Sequence, residues 1–128
     1  AGVRVKLIVR GICCLVPGVP GVSENICVRS IVGRYLEHSR AFIFRNSGNE
    51  EVYLASADMM PRNLDRRVEL MFPVEDPELS LRIKKLLRAQ WRDNIQAREL
   101  RPDGRYYPVE NGKAPFSSQD FCMENSDV

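Results

Sequence analysis

Residues 5–16 form an almost unbroken apolar run, β-branched in its first half and interrupted by charge only at Lys6 and Arg10. This is the pattern of a strand covered on both faces, as in a parallel or mixed sheet. Two Pro-Gly steps, Pro17-Gly18 and Pro20-Gly21, turn the chain into a loop reaching Asn25, because neither a strand nor a helix continues through them. Residues 26–31 predict a short strand, and 32–35 fit a turn, a short helix or a strand. From 35 to 44 the alternation has a period of two. Leu36, His38, Arg40, Phe42 and Phe44 fall on one face, and Tyr35, Glu37, Ser39, Ala41 and Ile43 on the other. His38 and Arg40 then share a side about 7 Å apart, at ~3.3 Å per residue.

Residues 45–51 read as a hairpin-like connection and 52–56 as the returning strand, antiparallel to the first. That pairing brings Ser56-Ala57-Asp58 back near His38. Residues 59–65 predict a loop or one helical turn interrupted by Pro61, and 66–74 a further strand with Arg67, Glu69 and Met71 on one face. Asp76-Pro77 is a helix start, with Asp76 as N-cap and Pro77 at the first position. Leu79, Ile83, Leu86, Leu87 and Trp91 recur at helical spacing as far as about Asn94, a stripe expected to pack in the core. Residues 97–100, the turn Pro102-Asp103-Gly104 and residues 105–109 suggest a small hairpin. Residues 111–128 are polar, apart from Phe116 and Phe121-Cys122-Met123. They fit a frayed tail or a terminal helix that needs a partner, which sets the expected organisation as one domain over 1–110 and a tail over 111–128.

Composition narrows the classes. With 128 residues, 44% of them hydrophobic, the chain can build one compact core. Nineteen Lys and Arg against 17 Asp and Glu give a net charge of +2, too small to argue for a general nucleic-acid or membrane surface. Cys13, Cys14, Cys27 and Cys122 include no C-x-x-C pair, and one histidine cannot complete a zinc site, so no metal ligands are assigned within this chain. The cysteines instead suit a reducing cytoplasm. No apolar run approaches the ~20 residues of a membrane span, and there is no signal-peptide pattern. The abrupt entry into a strand suggests a fragment.

The chemistry concentrates between Leu36 and Glu69. A histidine, several arginines and acidic partners in apolar segments point to a bound anion. Arginine forks match phosphate oxygens in pairs, and imidazole acts as nucleophile, acid or electrostatic donor near neutral pH. A carboxylate on the far ring nitrogen would fix the tautomer; Glu69 is the first candidate and Asp65 the second. Arg10, if buried, needs an anion beside it; an internal ion pair or a snorkelling side chain is the structural alternative.

Several ordered blocks carry a resemblance. They are Ile8-Val9-Arg10-Gly11-Ile12-Cys13, the stretch from Pro17 through Asn25 to Ile26, and the stretch from Ser30 through Leu36-Glu37-His38-Ser39-Arg40. Val52-Tyr53-Leu54, Ser56-Ala57-Asp58, Pro61-Arg62-Asn63-Leu64-Asp65-Arg66-Arg67-Val68-Glu69 and Asp76-Pro77 follow. Over about residues 4–110 these blocks resemble the C-terminal region of bacterial polyphosphate kinase, with a fainter echo at Ser118-Gln119-Asp120-Phe121.

The resemblance implies an α/β fold, a phospholipase D-like mixed sheet with flanking helices, the second of two such domains. It also implies reversible transfer of the ATP terminal phosphate to inorganic polyphosphate through a phosphohistidine in the missing preceding domain. By position, Arg10 matches an arginine that contacts nucleotide phosphates, His38 the second histidine of the active site, and Glu69 its acidic associate. Arg40 joins Arg10 and His38 as a phosphate-binding candidate. ATP enters as substrate, and Mg2+ is expected in the full enzyme with its ligands outside this segment. The implied partners are ATP or ADP, polyphosphate and the preceding domains, in a homo-oligomer, with no nucleic acid and no membrane span. The implied setting is the cytoplasm, with membrane association open to the full enzyme.

Cys27 stands where arginine is usual in the family and Met59 where tryptophan is common. The isolated segment is expected to be inactive. Two alternatives remain, a stand-alone anion- or nucleotide-binding module and a phospholipase D-like phosphodiesterase. His38-Ser39-Arg40 departs from the H-x-K of phosphodiesterases, and the chain has one histidine only.

Overall fold

The computed structural model describes residues 2–125, which form two compact units. Of the described residues, the first contains 2–37 and 88–125 and the second contains His38 to Leu87. The fold is mixed α/β, with a sheet in each unit and, among the described residues, three α-helices.

In the first unit β1 (Val5–Ile8), β2 (Ile26–Ile31), β6 (Ala97–Leu100) and β7 (Tyr106–Pro108) make a four-stranded sheet in the order β1-β2-β6-β7. β1 and β2 are parallel and the other pairs antiparallel, so the mixed sheet expected from the apolar runs is present. The Pro-Gly loop between β1 and β2 closes on Ser23, whose hydroxyl donates to Val16 O and accepts from Val19 N. Val28, Ile31, Ala97, Leu100 and Val109 are buried, with Ile8 packed against Ile31, Ala97 and Val109. Apart from Leu100 these are β-branched or small side chains, suited to a pleated surface. Arg29 faces Glu99 across the β2–β6 register at 3.1 Å and stacks on Trp91, with its guanidinium carbon 4.3 Å from the ring centroid.

The run at residues 5–16 is a strand over its first four residues only. The last ladder pair is Ile8 with Arg29; beyond it Val9 N still donates to Arg29 O, and the chain then leaves the sheet, with Ile12 92% exposed. Apolar content marks what a segment can bury, whereas a ladder needs a neighbour.

The second unit holds an antiparallel sheet, β3 (Ala41–Phe44), β4 (Glu51–Ala55) and β5 (Met71–Pro73), in the order β3-β4-β5. A 3-10 turn, Asn46–Gly48, joins β3 to β4, with Ser47 at φ 54° and Gly48 at φ 103°. Helix α1 (Pro61–Arg66) starts on Pro61, whose missing N–H is no loss at a first helical position. The strand expected over 66–74 is therefore short: Arg66 ends α1, Val68 is fully exposed, and pairing begins at Met71. Helix α2 (Pro77–Arg92) begins as the sequence predicts. Asp76 Oδ1 accepts from the Glu78 and Leu79 amides, each at 2.9 Å. Lys84 of α2 pairs with Glu50 at 3.2 Å.

The segment expected as a tail over 111–128 contains a helix; its last three residues, 126–128, lie outside the described residues. Helix α3 (Ser118–Glu124) is capped by Ser117, which accepts from Asp120 N. Its first turn is tied to Asp93, which is fully buried. Asp93 Oδ1 accepts from the Ile95, Gln96 and Ala97 amides and Oδ2 from the Ser118 amide and hydroxyl. Burial pushes that carboxyl up, but the donors outweigh burial and hold it below the ordinary carboxylate range.

Candidate functional site

His38 and Arg40 sit just before β3 and not within it. The strand expected over 35–44 starts only at Ala41, because Tyr35 gives its amide and carbonyl to a side chain, Gln119, where a strand would need a neighbouring backbone. The two side chains are nevertheless together. Arg40 Nη2 lies 2.6 Å from His38 Nε2. A guanidinium only donates, so Nε2 accepts and the ring proton belongs on Nδ1. Arg40 Nε also pairs with Asp58 Oδ1 at 3.0 Å, and the same oxygen lies 4.0 Å from His38 Nε2. Thus the β3–β4 pairing returns Asp58 to His38, as the hairpin register requires.

Asp58 is held in place by its own backbone. Its carbonyl accepts from the Met60 amide at 2.7 Å and from Asn63 Nδ2 at 3.1 Å, and Asn63 is buried at the start of α1. Glu69 is placed differently. Its carboxylate accepts a hydrogen bond from the Ser56 hydroxyl, which in turn accepts from the Leu70 amide at 3.0 Å. Glu69 is therefore anchored two residues along the chain from Asp58, while the carboxylate within 4.0 Å of His38 is Asp58. Asp65 lies on α1 and is exposed.

The result in the second unit is a half-exposed imidazole, a guanidinium and a carboxylate in mutual contact. Arg40 directs N–H donors at both neighbours and has further donors on its fork, the arrangement that accepts phosphate oxygens. In the first unit Arg10 follows β1 with its side chain exposed, so it needs no internal counter-charge; its carbonyl accepts from the Ser30 hydroxyl. Cys27 in β2 is half-buried. Burial, then the nearby Glu99, push its thiol up, which keeps it neutral and unreactive. Met59 is exposed beside Asp58 in sequence. Among the described residues no group of three His, Cys, Asp or Glu could hold a metal ion, and no helix is long and apolar enough to cross a membrane.

Comparison with known proteins gives the geometry its context. The family model described as polyphosphate kinase C-terminal domain 2 matches residues 1–119. Polyphosphate kinase 1 of Chlorobaculum tepidum is 56% identical over 124 residues, 97% of this chain and 18% of that protein. The polyphosphate kinase of Pseudomonas putida is 60% identical over 106 residues, 83% of this chain and 15% of the relative. The crystal structure of polyphosphate kinase from Porphyromonas gingivalis superposes with a TM-score of 0.91 at 45% identity, covering 96% of this chain and 19% of that one. The chain thus spans under a fifth of the length of these relatives.

Proposed function

Since the chain belongs to the polyphosphate kinase family, as a C-terminal domain, we propose that it supplies the phosphate-facing half of an active site that moves the terminal phosphate of ATP to and from polyphosphate. The reaction runs through a phosphohistidine carried by a preceding domain, and the whole takes a phospholipase D-like architecture. The observation that carries this reading is the His38–Arg40–Asp58 contact set: an imidazole held by a guanidinium that is itself held by a carboxylate, on a partly exposed surface.

A phosphoryl group in transfer spreads charge over three oxygens while making little covalent bonding to the protein, so positioning and positive charge supply most of the catalysis. Arg40 offers fixed N–H donors, and His38 adds a ring whose free face is open to solvent. Arg10 serves the nucleotide phosphates, and Glu69 braces Ser56 beside Asp58. Magnesium, when bound by the full enzyme, would neutralise phosphate charge, and in this reading its ligands belong to the preceding domains. The full enzyme is a cytoplasmic homo-oligomer in this reading.

The test is His38→Ala in the full-length kinase that contains this segment. A soluble variant is expected to lose most polyphosphate synthesis, since removing an electrostatic contact to the transition state costs about 10²–10³ in kcat. Near-normal turnover would defeat the assignment.

A further inference from the structure

The residue before the histidine is held unusually firmly. Glu37 Oε1 accepts from Gln119 Nε2 at 2.8 Å, and Oε2 accepts from Gln90 Nε2 at 2.7 Å. Gln119 also donates to Tyr35 O at 2.8 Å and accepts from Tyr35 N at 3.1 Å, so its carboxamide grips both ends of one peptide residue. Gln90 and Gln119 are both buried, a costly place for amides that have no structural task. The loop passes close: a Cβ at Gly33 would come within 2.5 Å of Gln119 Oε1 and 2.7 Å of the Gln96 carboxamide. Gln119 in turn sits in the first turn of α3, which Asp93 fixes through Ser118. Glu37 is the last residue before the chain passes into the second unit, and Gln90 lies two residues after it returns at Arg88.

We infer that Glu37, Gln90 and Gln119 form a clasp of positioning residues that fixes the backbone one peptide bond from His38. The clasp touches no substrate; its work is to narrow the directions in which the imidazole leaves the chain. An active-site group misplaced by 1 Å can lose about 100-fold in rate, so a clasp one residue away has leverage on turnover without contacting ATP. The terminal helix α3 thereby holds the residue that precedes His38 in the chain. This inference rests on the reading of His38 as a phosphate-facing group.

Two readouts separate the clasp from that reading. In the full-length kinase, Glu37→Ala and Gln119→Met are expected to lower kcat about tenfold or more with the KM for ATP changed less than about twofold. Glu37→Gln is expected to restore most turnover: its oxygen still accepts from Gln119, and Gln90 can turn its carboxamide to accept from the new amide. In the 128-residue chain His38 is the single histidine, so its ring Hε1 gives one assignable resonance. That line is expected to shift or broaden in Glu37→Ala and Gln119→Met, but not in Glu37→Gln, while the methyl signals of Val28 and Ile31 persist. Gln119→Met, close in length to the native side chain, serves if Glu37→Ala does not fold. Unchanged His38 lines together with unchanged kcat would overturn the clasp. A moved His38 line combined with a fully active His38→Ala enzyme would leave the clasp standing and remove the phosphoryl-transfer reading.

Discussion

A single oxygen, Asp58 Oδ1, accepts from Arg40 Nε at 3.0 Å, and Arg40 in turn donates to His38 Nε2, so the charge on Asp58 governs the guanidinium directly and the ring through it. All three side chains are partly exposed, and exposed ion pairs contribute only about 0–1 kcal/mol to stability. Asp58→Asn is accordingly expected to shift the melting free energy by less than about 1 kcal/mol while sharply reducing polyphosphate synthesis in the full enzyme, because the arginine fork loses its orienting charge. Parallel loss of melting temperature and turnover would mean that Asp58 is structural. Arg10, exposed and free of any need for internal compensation, is expected to act on the nucleotide. Arg10→Ala should raise the KM for ATP by roughly 10- to 100-fold, the equivalent of one charged hydrogen bond; an unchanged KM would remove it from the phosphate site. The proximity of His38, Arg40 and Asp58 was legible, since a hairpin register brings residues 38 and 58 together once the strands are recognised. The pattern ranks Glu69 first and Asp65 second as the carboxylate for His38, whereas Asp58 is the one within 4.0 Å of the ring. All three carry a carboxylate, and the choice is made by Ser56 taking the Glu69 carboxylate and by Asn63 pinning the backbone of Asp58.

Elements show the same division between what periodicity reveals and what side chains decide. The Asp76-Pro77 start of α2, the β6–β7 hairpin and the antiparallel β3–β4 pair follow from local rules of capping and alternation. The strands at 5–16, 35–44 and 66–74 are shorter than their apolar patterns, because each loses its ladder partner partway: to the exit of Val9 from the sheet, to Gln119, and to α1. Asp93 left a trace in the sequence, since an acid just after a helix opposes the helix dipole and calls for another purpose. That purpose is to join the end of α2, the start of β6 and the first turn of α3. Its folded carboxyl is held below the ordinary value near 3.9. The stability it contributes is therefore complete above the unfolded pKa and is lost as pH falls through the lower folded value. Asp93→Ala is expected to cost about 2–4 kcal/mol at neutral pH, since it strips a buried hub of charged hydrogen bonds. The gap to wild type should narrow below about pH 4. Urea titrations at pH 7 and pH 3 measure both; an equal gap at the two values would show that Asp93 is not the source of the acid sensitivity.

On the scale of the whole molecule, the apolar surface has to be read together with the length of the relatives. Ile12, Val22, Val32 and Leu36 in the first unit are exposed, as are Met59, Val68 and Leu70 in the second. Exposed apolar side chains are what a further part of a longer chain can bury, and this chain accounts for 18% of Polyphosphate kinase 1 from Chlorobaculum tepidum. In the proposed reading, the remaining four-fifths of such an enzyme covers some of these side chains and carries the phosphohistidine. The functional consequence is direct. His38 accepts from Arg40 at Nε2, and that geometry suits an electrostatic partner of a phosphoryl group better than the nucleophile that carries it, which needs the same lone pair free. Incubated with ATP labelled at the terminal phosphate, the 128-residue chain is expected to acquire no acid-labile label and to make no polyphosphate, whereas the full-length kinase should do both. Stable labelling of His38 in the isolated chain would mean that Arg40 gives up the ring and that this segment carries its own nucleophile, which the contact at 2.6 Å argues against.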